Sequence, residues 1–104
     1  MGGMPELLSD EDKGKALGRL KEWRLTDGAF ERTVELGSFP QAIQVVNRVA
    51  EIAENNNHHP DIDIRWRTLT FRCTTHSENG ITAGDVTLAE EIDGVIDAIA
   101  TEPE

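Results

Sequence analysis

Side chains suited to proton transfer are concentrated in one stretch, Glu54 to Asp85, which reads ENNNHHPDIDIRWRTLTFRCTTHSENGITAGD. It holds all three histidines, the adjacent pair His58-His59 and the single His76, together with Trp66 and the only cysteine, Cys73. Written as spacing, it is Glu54-x3-His58-His59-Pro60-x5-Trp66-x9-His76-x8-Asp85. Imidazole loses its proton near neutral pH, so it serves as acid or base without large tuning. Three such rings converging on one pocket suit a reaction with proton transfers at two neighbouring atoms and no covalent intermediate. Dehydration has that form: one group protonates a departing hydroxyl while another accepts the proton from the adjacent atom.

Each of these residues also has a plainer role open to it. His58-His59-Pro60 could be a surface loop ending a helix, since short motifs match by chance. Three histidines and a carboxylate could hold zinc. Adjacent histidines in extended chain point opposite ways, which argues against that, and no metal is expected. Asp85 falls where it could cap a helix as its N3 residue or sit in the pocket and fix the tautomer of a histidine. Glu54 could lie on a solvated helix face, Trp66 could flank a planar ligand or pack on a sheet, and Trp23 reads as core. Arg65 and Arg67 could meet a polar ring edge or line a solvated strand.

The elements that must position this stretch are legible from periodicity and caps. Ser9 followed by Asp12 resembles a capping box, opening a helix over about residues 10–20 with Ala16, Leu17 and Leu20 on one side. Trp23 and Leu25, then Phe30, Val34 and Leu36, alternate around Asp27-Gly28, which predicts a hairpin over about 22–36. Ser38-Phe39-Pro40-Gln41 is a helix start. The set Phe39, Ala42, Ile43, Val46, Val49, Ala50 and Ala53 predicts an amphipathic helix that stops near Asn56. His58 and His59 then occupy its exit loop. Ile62 and Ile64, then Leu69, Phe71 and Cys73, predict two strands joined near Arg67-Thr68, a joint without Gly or Asn. Thr82 and Asp85 form another cap-like pair before a last helix marked by Leu88, Ile92, Val95, Ile96 and Ile99. The order αββαββα predicts an α+β domain: a four-stranded antiparallel sheet with three helices packed on one face. Its expected bounds are 9–100, with residues 1–8 frayed and a tail over 101–104.

Composition limits the function classes. The chain has 104 residues, one domain's worth, and carries a net charge of −10 from twenty acidic and ten basic side chains. Much of the acid lies in Glu6–Asp12 and Asp85–Glu104, so binding to phosphate backbones or anionic lipid is disfavoured. One cysteine excludes an internal disulfide, and Cys73 in its apolar alternation reads as a small buried hydrophobe. No signal peptide is visible, and Met1-Gly2-Gly3 is followed by Glu6 where a myristoylation motif needs Ser or Thr. No apolar run approaches membrane-spanning length. A cytoplasmic protein is expected.

Taken with Trp23, Asp27-Gly28, Arg32, Phe39 and the run Val46-Asn47-Arg48-Val49-Ala50, the histidine stretch resembles the pterin-4a-carbinolamine dehydratase family. That resemblance runs from about Leu7 to Ile96 and implies the same α+β layout. It implies a hydro-lyase that removes water from 4a-hydroxytetrahydropterin to give the quinonoid dihydropterin, recycling tetrahydrobiopterin after aromatic amino-acid hydroxylation, with no cofactor and no metal. Carried over by position, His58, His59 and His76 match the family's catalytic histidines, and Asp85, Trp66 and Glu54 its substrate-binding positions. We expect His58 and His76 to move protons and His59 to orient the pterin. A homodimer or homotetramer is expected. The alternative is a binding protein on the same scaffold, since animal members are dimerisation cofactors of a hepatocyte nuclear factor and some bacterial relatives resemble RuBisCO assembly factors. Departures from the family pattern are Val34 and Leu36, where phenylalanine is common, and Gln44-Val45 in place of a small-aromatic pair. They touch packing and leave the histidines in place.

Overall fold

The computed structural model describes residues 6–101. The Met1-Gly2-Gly3 segment, most of the expected frayed start and most of the expected tail lie outside them. Helix α1 (Asp10–Arg19) begins where the Ser9 hydroxyl accepts a hydrogen bond from the Asp12 amide at 3.1 Å. Strands β1 (Arg24–Thr26) and β2 (Ala29–Glu35) follow as an antiparallel hairpin. Its two turn residues, Asp27 and Gly28, have φ of 49° and 75°, the positive pair that such a two-residue turn requires. Helix α2 (Phe39–Asn56) is capped by Ser38, then come β3 (Asp61–Arg65), β4 (Thr68–Cys73), a 3₁₀ turn at His76–Glu78 and helix α3 (Ala83–Ala100). The sheet order is β1-β2-β4-β3, antiparallel throughout.

Alternation along β4 decides which face is covered. Leu69, Phe71 and Cys73 are buried, whereas Thr68, Thr70 and Arg72 are only partly so. The buried set shares one core with Ala42, Val45 and Val49 of α2 and Leu88, Ala89 and Ile92 of α3. Helices therefore cover one face, and the fold is α+β as expected. Desolvation by this core pushes the Cys73 thiol well above the usual thiol range, so it stays protonated and acts as a small apolar side chain.

Two local expectations need correction. The buried stripe of α2 is Ala42, Val45, Val49 and Ala53, and Phe39 is 48 % exposed. Phe39 stands at the first helical position, beyond the edge of the sheet's cover, while Val45 completes the 3-4-4 spacing that faces it. The β3–β4 joint falls one residue earlier than expected, at Trp66-Arg67, because Arg65 pairs with Thr68. Trp66 takes φ of 55°, a conformation costing a bulky residue about 1–3 kcal/mol. The two-residue turn requires it, and two contacts brace the turn: the Leu36 amide donates to Arg67 O at 2.8 Å, and the Arg67 guanidinium stands 4.6 Å from the Trp66 ring centroid.

The β1–β2 hairpin is tied to α3 by Asp93. Its Oδ1 accepts from Trp23 Nε1 at 2.7 Å and pairs with the mostly buried Arg32 guanidinium. Asp93→Ala strands both donors and is expected to lower the unfolding free energy by about 1–3 kcal/mol, read as an earlier urea midpoint with unchanged slope.

Candidate active site

The end of α2 delivers His58. Asn57 adopts the left-handed conformation, φ 51°, which asparagine accepts more readily than most residues and which closes the helix. The His58 amide then donates back to Ala53 O at 3.0 Å. This reversal brings the His58 ring to the first turn of α3, where Nε2 lies 2.6 Å from Asp85 Oδ1.

Asp85 is fully buried and both of its oxygens are engaged. Oδ2 accepts from the Thr75 hydroxyl at 2.7 Å and from the Thr82 amide at 2.9 Å, while Oδ1 faces the histidine. The choice between cap and pocket dissolves: one oxygen caps α3 and the other holds the ring. Thr75 Oγ1 is also 2.8 Å from Thr82 Oγ1. Because Thr75 spends its only proton on the carboxylate, Thr82 donates to Thr75.

These partners assign the tautomer. An ionised carboxylate only accepts, so His58 Nε2 carries a proton toward Asp85 and the neutral ring keeps its lone pair on Nδ1. The Nδ1–Cε1 edge passes beside Gly84, where a Cβ would stand 3.7 Å from Cε1 and 3.8 Å from Nδ1. His58 and Gly84 share the wall of an open cleft of about 560 Å³ with Thr75, Thr82, Thr87, Asn56, Asn57 and Glu91. That volume suits a small heterocyclic ligand. The cleft can therefore present a free imidazole nitrogen, backed by a buried anion, to whatever it holds.

The other positions singled out from sequence lie elsewhere. His59 turns away from the cleft, as neighbours in extended chain do, and pairs through Nε2 with Glu54 Oε1 at 2.9 Å on the exposed surface. His76 opens the 3₁₀ turn, exposed, one residue beyond Thr75 of the cleft wall. Trp66 sits in the β3–β4 turn, 69 % exposed, at the far end of β3 from His58. The expected convergence of three rings is thus met at the cleft wall by His58 alone. Among the described residues, no group of three His, Cys, Asp or Glu is gathered as a metal site requires. Residues that sequence reasoning left out are Asn56, Asn57, Gly84, Thr87 and Glu91. A signal for the last three existed: they recur at three and four along α3, on a face apart from its apolar repeat.

Comparisons with known proteins agree with this fold. A family model described as pterin 4 alpha carbinolamine dehydratase matches residues 6–95. A relative from Mycolicibacterium vanbaalenii, named "Putative pterin-4-alpha-carbinolamine dehydratase", is 52 % identical over 90 residues, covering 86 % of this chain and 97 % of the relative. One of the same name from Nocardia farcinica is 54 % identical over 88 residues, covering 85 % and 93 %. Among solved structures, a transcriptional coactivator/pterin dehydratase from Brucella melitensis superposes with a TM-score of 0.84 at 27 % identity, covering 86 % of this chain and 98 % of that one. A pterin dehydratase-like RuBisCO assembly factor of the alpha-carboxysome shares the fold, with a TM-score of 0.58 at 15 % identity over 78 % of this chain and 89 % of that one. The chain belongs to the pterin-4-alpha-carbinolamine dehydratase family.

Proposed function

We propose that the protein dehydrates a 4a-hydroxytetrahydropterin to the quinonoid dihydropterin, with His58 as the principal proton-transfer residue. The observation that carries this reading is the 2.6 Å contact between His58 Nε2 and fully buried Asp85 in the wall of the cleft. The names of the relatives supply the substrate class. In the reaction the N5 proton passes to His58 Nδ1, and its electron pair closes the C4a=N5 double bond as the C4a–O bond breaks. The hydroxyl leaves with one proton as water, and nothing is oxidised. Asp85 stabilises the imidazolium formed on the way and keeps Nδ1 facing the ligand. His76, next to Thr75 of the cleft wall, is the proposed second group, protonating the departing hydroxyl. The protein's place is then the recycling of a tetrahydropterin after aromatic hydroxylation. Phe39, Ile64 and Trp66 leave large apolar surface in solvent, which supports a homo-oligomer.

A non-catalytic binding role on the same scaffold is the second reading, raised by the Brucella melitensis neighbour, which is called a transcriptional coactivator as well as a pterin dehydratase. Surface binding places no demand on a buried carboxylate aimed at a cleft histidine, so the His58–Asp85 pair favours the enzyme. The test is direct. Purified protein mixed with freshly generated 4a-hydroxytetrahydropterin should accelerate loss of the carbinolamine above the spontaneous rate, and absence of acceleration would leave the binding role. His59→Ala provides a contrast, because its ring meets only exposed Glu54. It is expected to cost less than about 1 kcal/mol of stability and to leave turnover nearly unchanged.

A further inference from the structure

We infer that Glu91 reads the pyrimidine edge of the ligand, making the cleft selective for a 2-amino-4-oxopteridine over a 2,4-dioxopteridine. The inference rests on the proposed pterin chemistry and deepens it. Gly84 lies against the His58 ring, and Glu91 stands two turns further along α3 on the same face, lining the same cleft. Seven residues of helix rise about 10 Å, the reach of a fused two-ring heterocycle with a hydrogen bond at each end. Thr87, between them, is small enough to leave the floor open. With the reacting C4a–N5 side at His58, the opposite edge of the ring falls toward Glu91.

That edge is distinctive. A pterin offers two parallel donors there, the 2-amino group and N3–H, a pattern that a carboxylate accepts in bidentate fashion. Asn56 Nδ2 donates to Glu91 Oε1 at 2.7 Å, which fixes the carboxylate from the α2 side and leaves Oε2 and the second lone pair of Oε1 to accept the two donors of the ligand. A dioxopteridine presents a carbonyl in place of the amino group, so oxygen would face oxygen. Glu91→Gln retains the Asn56 contact through its own carbonyl oxygen but turns an amide N–H₂ toward the donor edge of a pterin.

Equilibrium binding of a stable 6-substituted pterin and of the matching lumazine, measured by ligand fluorescence quenching on the full chain, tests this. Wild type should prefer the pterin by about ten- to a hundredfold, and Glu91→Gln should abolish that preference through loss of pterin affinity with little change for the lumazine. A variant that keeps the full preference, with wild type still binding the pterin, overturns the role of Glu91 and leaves the dehydratase reading standing. A wild-type protein that binds neither ligand and does not accelerate dehydration overturns both. Far-UV circular dichroism and the thermal midpoint of Glu91→Gln, expected to match wild type, separate lost recognition from lost fold.

Discussion

His58→Ala is expected to slow dehydration of 4a-hydroxytetrahydropterin by about 10²–10⁴-fold, the range that one positioned acid–base group supplies. The protein should stay folded. His58 sits in the exit loop of α2 with part of its side chain in solvent, and the helix end is closed by the backbone of Asn57 and His58 rather than by the ring. The stability cost comes through Asp85, whose Oδ1 loses its partner. Truncation opens the cleft to that oxygen, so water can replace the imidazole, and the loss should stay within about 1–3 kcal/mol. Stopped-flow absorbance on freshly formed carbinolamine, with the spontaneous rate subtracted, is the measurement. His58→Ala, His76→Ala and His59→Ala should then fall in that order of severity. If His58→Ala retained wild-type turnover while His76→Ala lost it, the proton would be moving at the exposed turn, and the cleft would have no chemical role.

How far the sequence could lead depends on whether a feature is fixed locally. Ser9, Asp27-Gly28 and Ser38 were legible because each satisfies its own backbone within three or four residues. Trp66 was not. Nothing in its own chemistry asks for a left-handed conformation; the two-residue turn left by the pairing of Arg65 with Thr68 imposes it. The histidines divide along the same line. That His58 meets an acidic partner at the start of α3 could be anticipated from Thr82 and Asp85, a cap that already faces the loop. That His59 turns away from the cleft and His76 stands one residue beyond its wall follows from a strand-like parity and a 3₁₀ turn, neither of which the residue types announce. Glu91 was hidden for another reason. The apolar repeat of α3 dominates its pattern, and Glu91, one of several acids outside that repeat, looks like ordinary solvation until the cleft beside it is seen.

Asp85→Asn is the sharper of the two large-effect experiments, because it changes which nitrogen of His58 bears the proton while changing almost no volume. The amide oxygen of the substituted side chain would take over the contacts of Oδ2, accepting from Thr82 N and Thr75 Oγ1 and so preserving the cap of α3. Its N–H₂ group would then face His58 Nε2, a donor where an acceptor had been. The ring must answer by presenting its lone pair on Nε2 and its proton on Nδ1, toward the ligand. A base aimed at the pterin becomes a donor, and the stabilising negative charge behind it is gone. Turnover is expected to drop by about 10²–10⁴-fold, comparable to His58→Ala, with the fold kept. Binding of a stable pterin should change far less than turnover, since the side chains facing the ligand keep their places and only the tautomer of His58 differs. Nitrogen-15 chemical shifts of His58 report the tautomer independently of activity: Nδ1 should read as the bare nitrogen in wild type and Nε2 in Asp85→Asn. An active Asp85→Asn enzyme with an unchanged His58 tautomer would mean that the carboxylate serves only as the cap of α3, and the proton-transfer role would have to be sought in His76.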